Sequence, residues 1–232
     1  MIKRISSPEE MSALPEKGVE AQKIRSLLLA YGTKYDFCRF FISENAFIAQ
    51  LNGDYIICDC EGTDISELAS FFDFSGFESV FCSDRIGENL SKALDLRAKK
   101  VYLMRFSGNP SAEKPDILSP NEAYSIIKTG FDFEFEPWYL DMSHRVRHGI
   151  SRFYGFFGSA LAVQYAINGE ALISQVASLP EKRGKGFASR LISAVCNELQ
   201  DFVVYVLCEQ ELEGFYQKNG FICEKTKYII KN

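Results

Sequence analysis

Residues 174–190 read SQVASLPEKRGKGFASR: an apolar run, a proline, a basic stretch with two glycines, and small residues that resume helical spacing. A helix that starts this way leaves backbone N–H groups without intrahelical partners, beside the positive end of the helix dipole. Such a helix start binds phosphate. Gly184 and Gly186 have no Cβ to keep an anion from the backbone, and Arg183 and Lys185 add positive charge. The stretch therefore predicts a diphosphate-binding loop between a strand and a helix.

The composition limits what surrounds this loop. The chain has 232 residues, of which 47% are hydrophobic and 14% aromatic, so it can fill a globular core. Its 31 Asp and Glu exceed its 26 Lys and Arg, for a net charge of -5. A general nucleic-acid or anionic-membrane binder works through a summed positive field, so neither partner is predicted. Positive charge that binds a ligand is therefore expected only in a local group of residues, such as the glycine loop.

Cysteine usage and the termini predict a cytoplasmic, soluble protein. The seven cysteines are odd in number and show no paired CxxC spacing, which favours buried free thiols in a reducing compartment over a disulfide framework or a metal site. Residues 1–18 contain no apolar core of a signal peptide, and nowhere do eighteen apolar residues run together.

The first half of the chain predicts one helix, an antiparallel meander, and then alternating helices and strands. Apolar positions recur at helical spacing over residues 19–31, and Asp64 is a candidate N-cap for a helix over 64–74. The short β-prone runs at 37–45, 46–54 and 55–60 are separated by turn residues. A strand over 78–83, a helix over 85–94 and a strand over 99–106 follow.

The second half predicts the same succession. Ser119 and Glu122 form a capping box at a helix start, and a second helix covers 136–148. Strands over 151–157, 160–167 and 171–179 are joined by tight turns, so they are antiparallel. The remainder predicts a helix over 186–200, a strand over 202–208, a helix over 211–219 and a strand over 221–230.

The two halves therefore suggest a divergent internal repeat. AQLNGDYIICDC (49–60) and YAINGEALISQVAS (165–178) both place an Asn-Gly turn before an apolar strand. Residues 107–120 concentrate Gly, Ser and three of the seven prolines. We predict two α/β domains over 1–107 and 121–232, each with a mixed, largely antiparallel sheet flanked by helices, and a linker over 108–120.

Known phosphate loops differ in how well they fit the glycine stretch. The triphosphate motif GxxxxGK[ST] is absent. Residues 184–189 approximate GxGxxG, and Glu209 follows the next strand, where a dinucleotide fold places its ribose carboxylate. The strands before the loop are joined by tight turns, however, which parallel strands of that fold do not allow. A helix start with a solvated charged loop is a further alternative.

The pattern Arg183-x-x-Gly186-x-Ala188 resembles the (Gln/Arg)-x-x-Gly-x-(Gly/Ala) signature of the GNAT superfamily of acetyl-CoA-dependent N-acetyltransferases. FYQKNGF, Phe215 to Phe221, is similar to the Tyr-bearing helix of that family, which ends in Gly-Phe. The resemblance covers the second half of the chain. It implies the GNAT fold there, and a tandem arrangement in which the first half is a degenerate copy without a coenzyme loop.

The resemblance also implies roles for individual residues. Tyr216 matches the general acid that protonates the departing thiolate of coenzyme A; an aromatic that only packs one helix face is the alternative. The strand backbone would hold the pantetheine arm and the acetyl carbonyl, and the loop would hold the pyrophosphate. These coenzyme positions are Val176, Ala177 and Ser178 in the strand and Arg183, Gly184, Lys185, Gly186, Phe187 and Ala188 in the loop.

Glu209 departs from the family pattern, because relatives often carry Asn at this distance from the tyrosine. This substitution puts the coenzyme contact at that position in doubt. Glu209 is a candidate catalytic base, and capping of the adjacent helix is the alternative.

Both histidines of the chain lie in one predicted helix. Asp141, His144, Arg145 and His148 occupy one face of it, which suits recognition of a polar substrate. A solvated face with an Asp141–Arg145 ion pair is the alternative. Two histidines four residues apart have no third ligand in the pattern, so no metal is predicted.

The sequence thus predicts an enzyme that transfers the acetyl group of acetyl-CoA to a primary amine of a small molecule or peptide, without a metal. A non-catalytic acyl-CoA-binding sensor is the first alternative, and a dinucleotide-binding protein is the second. The protein is expected to be a monomer or a homodimer.

Overall fold

A computed structural model describes residues 1–232, and the chain divides into two compact units. The first unit comprises residues 1–102 and 225–232, and the second comprises residues 103–224. The strands are β1 (Lys3–Arg4), β2 (Cys38–Ile42), β3 (Ala46–Leu51), β4 (Asp54–Asp59), β5 (Ser79–Ser83), β6 (Ala98–Phe106), β7 (Asp116–Leu118), β8 (Arg152–Phe156), β9 (Ser159–Ile167), β10 (Glu170–Ser178), β11 (Val203–Cys208) and β12 (Phe221–Lys231). The helices are α1 (Val19–Tyr31), α2 (Ile65–Ser75), α3 (Asp84–Ala93), α4 (Pro120–Ile127), α5 (Phe135–Arg147), α6 (Phe187–Glu198) and α7 (Glu213–Lys218).

The sheet of the first unit has the strand order β1-β2-β3-β4-β5-β12. The strands β1 to β4 form an antiparallel meander, as the turn residues predicted. β4 and β5 are parallel, and residues 227–231 of β12 pair with β5 in the antiparallel direction. One face of this sheet packs against α2 and α3 through a core of buried aliphatic and aromatic side chains that includes Ile57, Leu68, Phe72 and Leu90.

The second unit contains the strand order β11-β10-β9-β8-β7. β7 to β10 are antiparallel neighbours, whereas β10 and β11 are parallel. α4 and α5 pack on the meander around Ile127, Trp138 and Phe153. The predicted class, a mixed and largely antiparallel sheet flanked by helices, is therefore confirmed in each unit.

The same turn geometry occurs in both units. The φ angles are 51° at Asn52 and 96° at Gly53, and they are 50° at Asn168 and 73° at Gly169. A two-residue hairpin turn requires such left-handed angles. In each turn the glycine carbonyl accepts a 2.9 Å hydrogen bond from the start of the next parallel strand. The donor is the N–H of Glu78, directly before β5, in the first unit and the N–H of Val203, the first residue of β11, in the second. Hairpin, helix and parallel strand thus follow one another identically in the two halves.

The division between the units differs from the predicted domain boundaries. Residues 108–120, the predicted linker, lie in the second unit: β7 pairs with β8, Ser111 N–H donates to Ser193 Oγ (2.8 Å), and Glu113 forms an ion pair with Arg190. Residues 225–232 lie in the first unit because β12 completes the sheet beside β5. Proline and glycine content marks irregular backbone, and here that backbone is packed.

All seven cysteines are free thiols, and five of them are buried. Burial raises the pKa of Cys58, Cys82, Cys196 and Cys208 to about 12, so these thiols stay protonated at neutral pH. None of the helices combines the length and hydrophobicity that crossing a membrane requires.

Candidate functional site

A cleft of about 650 Å³ lies in the second unit. This volume is within the usual range for a small-molecule site. It is bounded by the end of β10, the turn after α4, the glycine loop and the helix α7. Its lining residues are Thr129, Gly130, Val176, Ala177, Ser178, Arg183, Gly184, Ala188, Leu212, Phe215 and Tyr216.

The end of β10 is opened by two features of its strand pairing. Its pairing with β11 is confined to Glu170–Ile173, so one edge of the later residues has no strand partner. Its register with β9 shifts between Ser174 and Ala177, and Gln175 has a left-handed φ of 52°. Such a bulge leaves backbone groups outside the ladder. The backbone around Val176 is therefore placed where a ligand can hydrogen-bond to it.

The glycine loop leads into α6 with its amides exposed. Gly184 and Gly186 have left-handed φ angles of 72° and 76°, which favour glycine. The first intrahelical bond runs from Arg190 N–H to the Gly186 carbonyl (3.1 Å), so the amides of residues 187–189 precede it. No side chain caps this helix. The loop thus has the free amides that the sequence predicted for an anion site.

Arg183 fixes the loop in place. Its Nε donates to the Ser178 carbonyl (3.1 Å), and its Nη2 donates to the Thr129 carbonyl (2.7 Å). Thr129 Oγ1 donates to the same Ser178 carbonyl (3.1 Å). The guanidinium therefore ties the loop to β10 and to the turn after α4, a structural role that the sequence prediction of added positive charge did not include.

Tyr216 lies on α7, lines the cleft, and is only 6% exposed. Its ring contacts Phe221 edge-on, with centroids 5.6 Å apart. Burial, with a smaller contribution from Cys208, raises the pKa of the Tyr216 phenol above its ordinary value. The phenol is therefore protonated at neutral pH. The ring also packs, so the two sequence interpretations of Tyr216 are compatible.

The remaining predicted coenzyme residues, and the predicted catalytic residue Glu209, do not line the cleft. Lys185, Gly186 and Phe187 belong to the loop but do not line the cleft. Glu209 precedes a short 3-10 helix, Gln210–Leu212, and its side chain makes no capping hydrogen bond. The capping alternative for the Glu209 carboxylate is therefore wrong. Its role as a base stays a prediction.

The polar face of α5 does not line the cleft. The predicted Asp141–Arg145 ion pair is present, since Arg145 Nε donates to Asp141 Oδ1 (2.7 Å), but Arg145 is buried rather than solvated. The rings of His144 and His148 lie together, with centroids 4.2 Å apart. Substrate binding by these four side chains stays a prediction that no cleft contact supports.

Sequence reasoning missed four cleft-lining residues, Thr129, Gly130, Leu212 and Phe215. A Cβ at Gly130 would lie 3.4 Å from the Ala177 Cβ, so the turn after α4 approaches β10 closely. No sequence spacing shows this approach, because it depends on how α4 packs on the sheet. Phe215 could have been found, since it directly precedes Tyr216 in the motif.

The corresponding region of the first unit is built differently. Asp64 caps α2, where its carboxylate accepts hydrogen bonds from the N–H groups of Ser66 (2.9 Å) and Glu67 (3.2 Å). The amides that would bind a phosphate there are thus already occupied. A smaller cleft of about 340 Å³ beside the ends of β4 and β5 is lined by charged side chains, among them the buried ion pair Glu20–Lys227.

Comparison with known proteins gives matches in structure alone. No protein-family model and no curated protein matches the sequence. A GCN5-related N-acetyltransferase from Kribbella flavida is 11% identical, with a TM-score of 0.62 over 93% of this chain and 96% of that one. One from Sphaerobacter thermophilus is 14% identical, with a TM-score of 0.61 over 91% and 85%. A tandem GNAT protein from the clavulanic acid biosynthesis pathway is 10% identical, with a TM-score of 0.59 over 100% and 98%.

These matches show that the chain has the GNAT fold, as the sequence motifs implied. The match to the tandem GNAT protein extends over both halves of the chain, which confirms the predicted tandem repeat of that fold. The glycine loop, the bulged strand and Tyr216 all lie in the second copy.

Proposed function

We propose that the second unit binds acetyl-CoA and transfers its acetyl group directly to a primary amine. The observation that carries this proposal is the convergence of three features on one cleft. These are the open edge of β10 at Val176, the uncapped glycine loop at Gly184, and the buried phenol of Tyr216. The GNAT fold supports the same conclusion.

Two polar parts of the coenzyme, the pyrophosphate and the pantetheine amides, have candidate partners in the backbone around the cleft. The loop from Gly184 to Ala188 offers exposed amides at a helix N-terminus, which suit the pyrophosphate. The unpaired edge at Val176, Ala177 and Ser178 offers backbone donors and acceptors to the amide groups of the pantetheine arm. Neither contact requires a particular side chain, so the backbone geometry decides the fit.

The residues of the cleft then have defined roles in acetyl transfer. A backbone N–H near Val176 would polarise the acetyl carbonyl. The unprotonated amine forms a C–N bond as the C–S bond breaks, and Tyr216 donates its proton to the departing sulfur. The proton that the amine loses passes to the Tyr216 phenolate, directly or through water, so the phenol is regenerated.

Two alternatives make different demands on the protein. A dinucleotide fold requires parallel strands before its glycine loop, whereas β8, β9 and β10 are antiparallel. An acyl-CoA sensor would bind the coenzyme at the same loop without turnover. The presence of the Tyr216 phenol in the cleft favours an enzyme over a sensor.

Calorimetric titration with acetyl-CoA and with NAD tests the coenzyme assignment. We expect acetyl-CoA to bind at one site per chain, because α2 in the first unit is already capped by Asp64. NAD should bind more weakly or not at all. Tighter binding of NAD than of acetyl-CoA would overturn the assignment, and two equivalent acetyl-CoA sites would contradict the difference between the two units.

A further inference from the structure

The bulge in β10 holds Gln175 in a backbone conformation that is uncommon inside a strand. Gln175 and Val176 together lie opposite a single residue of β9, Leu161, and Gln175 has a left-handed φ of 52°. Residues other than glycine rarely adopt such angles, and those that do are mainly Asn and Asp. Strain of this kind persists only where the surrounding structure holds it, and it is frequent at functional sites. The contacts of the Gln175 side chain therefore bear on how the cleft works.

One hydrogen bond joins the Gln175 side chain to α5. Trp138 Nε1 donates to Gln175 Oε1 (3.2 Å). Trp138 is 8% exposed, and the N–H of a buried indole usually has a partner. Gln175 directly precedes Val176, which lines the cleft. We call this hydrogen bond the Trp138–Gln175 tether. It connects a helix to the strand residue next to the cleft, and the coenzyme assignment does not use it.

Aromatic neighbours fix the position of the indole. The Trp138 ring stacks on Phe133, with centroids 5.8 Å apart and an interplanar angle of 5°. Phe153 of β8 and Tyr124 of α4 contact the same ring, with centroid distances of 5.4 and 5.2 Å. These side chains belong to the core between the helices and the meander. The donor end of the tether is therefore placed by packed core rather than by a mobile side chain.

The backbone after Gln175 is held at its other end as well. The Ser178 carbonyl accepts hydrogen bonds from Arg183 Nε (3.1 Å) and Thr129 Oγ1 (3.1 Å). Residues 176–177, at the unpaired edge of β10, thus lie between two sets of side-chain contacts. Backbone groups along a strand alternate between its two edges, and one extra residue reverses the alternation. The bulge therefore decides which amides after it face the open edge.

We infer that Trp138 and Gln175 are positioning residues for acetyl transfer. Their tether holds the bulge so that the backbone N–H near Val176 is directed at the thioester carbonyl. A donor that is fixed in advance polarises the carbonyl without reorganisation as negative charge develops on the oxygen. A bond that served only to satisfy the buried indole would stabilise the fold and leave the thioester unaffected. This inference rests on the proposed acetyltransferase function.

Infrared difference spectroscopy measures the polarisation directly and needs no acceptor amine. The protein is saturated with acetyl-CoA that carries a heavy carbon isotope at the acetyl carbonyl, so that this carbonyl stretch is resolved from the protein bands. A hydrogen bond to the carbonyl oxygen lowers the stretching frequency. The frequency in each variant is compared with that in the wild type, and kcat is measured with an accepted amine.

Substitutions of Gln175 separate the tether from the side chain that makes it. Gln175→Met keeps the length of the side chain and removes the acceptor oxygen, whereas Gln175→Glu keeps an oxygen that can accept from Trp138 Nε1. In Gln175→Met we expect a higher carbonyl frequency and a kcat lower by roughly 10- to 100-fold, as for a displaced backbone donor. The dissociation constant of coenzyme A, which has no acetyl group, should not change. Gln175→Glu should keep the frequency and kcat close to wild type.

Two further variants guard against a failure to fold and test whether the residues act together. Gln175→Gly lacks the tether and adopts the left-handed angle without strain, so it should fold and show the same changes as Gln175→Met. Trp138→Phe should also show them. Because both residues act through one hydrogen bond, the double variant Trp138→Phe/Gln175→Met should be no worse than either single variant. Additive losses of kcat would contradict action through the tether.

Tyr124→Phe is the matched control. Tyr124 contacts the same indole ring, and its Oη donates to the Phe133 carbonyl (3.1 Å). The substitution removes one hydrogen bond of the aromatic cluster and leaves the tether in place. It should lower the Tm about as much as Gln175→Met does, while the carbonyl frequency and kcat stay at their wild-type values. An equal loss of kcat in the control would mean general loosening of the cluster and would overturn the role of the tether.

The inference and the proposed function can fail separately. An unchanged carbonyl frequency and kcat in Gln175→Met, with a wild type that acetylates amines, would overturn the inference and leave the acetyltransferase function standing. If the wild type binds acetyl-CoA and acetylates no amine, the proposed function fails and the spectrum still decides. A higher frequency in Gln175→Met would then support the positioning of the carbonyl, and an equal frequency would refute it. Absence of acetyl-CoA binding would overturn both.

Discussion

Replacing Tyr216 with Phe is expected to lower kcat by roughly 10²- to 10⁴-fold, the usual contribution of a positioned general acid. The substitution removes only the hydroxyl, so the ring can keep its packing on Phe221 and its place in the cleft. The dissociation constant of acetyl-CoA should change little. The raised pKa of the phenol keeps it protonated at neutral pH, so the wild-type enzyme is fully in its donating form there.

Steady-state kinetics with an accepted amine, together with calorimetry, measure these two quantities. Tyr154→Phe is a matched control, because Tyr154 is also buried in the second unit and does not line the cleft. It should leave kcat unchanged. Wild-type turnover in Tyr216→Phe would remove Tyr216 from the mechanism, whereas weaker coenzyme binding in step with kcat would make it a binding residue.

Gly186→Val should raise the dissociation constant of acetyl-CoA by about 100-fold or more, since loss of two charge-assisted hydrogen bonds costs about 1.5–3 kcal/mol each. Gly186 has a φ of 76°, which a β-branched residue adopts only with strain. A Cβ at this position meets no atom within 4 Å, so the substitution strains the loop backbone and causes no clash with the core. Relief of that strain would turn the amides of the loop away from the anion.

Gly149→Val provides the matched control for strain alone. Gly149 follows α5 and has a φ of 71°, and a Cβ added there would likewise meet no atom within 4 Å. Circular dichroism should show a folded protein for both variants, and only Gly186→Val should lose coenzyme affinity. Unchanged affinity in Gly186→Val would mean that the loop is not the coenzyme site.

The features that sequence could predict are those set by local chemistry. The glycine loop, the two Asn-Gly hairpins and the capping box at Ser119 each depend on residues a few positions apart. Asp64 as an N-cap belongs to the same class. The position of Tyr216 beside the coenzyme site was implied by the resemblance of FYQKNGF to the family motif, and the structure places Tyr216 on α7 at the cleft.

The features that sequence could not predict depend on distant pairing. The bulge at Gln175 uses a left-handed backbone at a residue other than glycine, which no composition rule marks. The end of β12 belongs to the first unit because it pairs with β5. The sequence does not specify this partner, since an apolar strand can pair with more than one neighbour. Arg145, which pairs with Asp141, shows the same limit, since spacing predicted the shared face but not the burial of the guanidinium.

The central claim, that the second unit transfers acetyl groups from acetyl-CoA to amines, is tested most directly by product stoichiometry. The protein is incubated with acetyl-CoA and a panel of primary amines, and free thiol and N-acetylated amine are both quantified. The account predicts amine-dependent thiol release with one N-acetylated product per thiol, abolished in Gly186→Val. Tight binding of acetyl-CoA with no acetylated amine across the panel would contradict it and identify the protein as an acyl-CoA sensor.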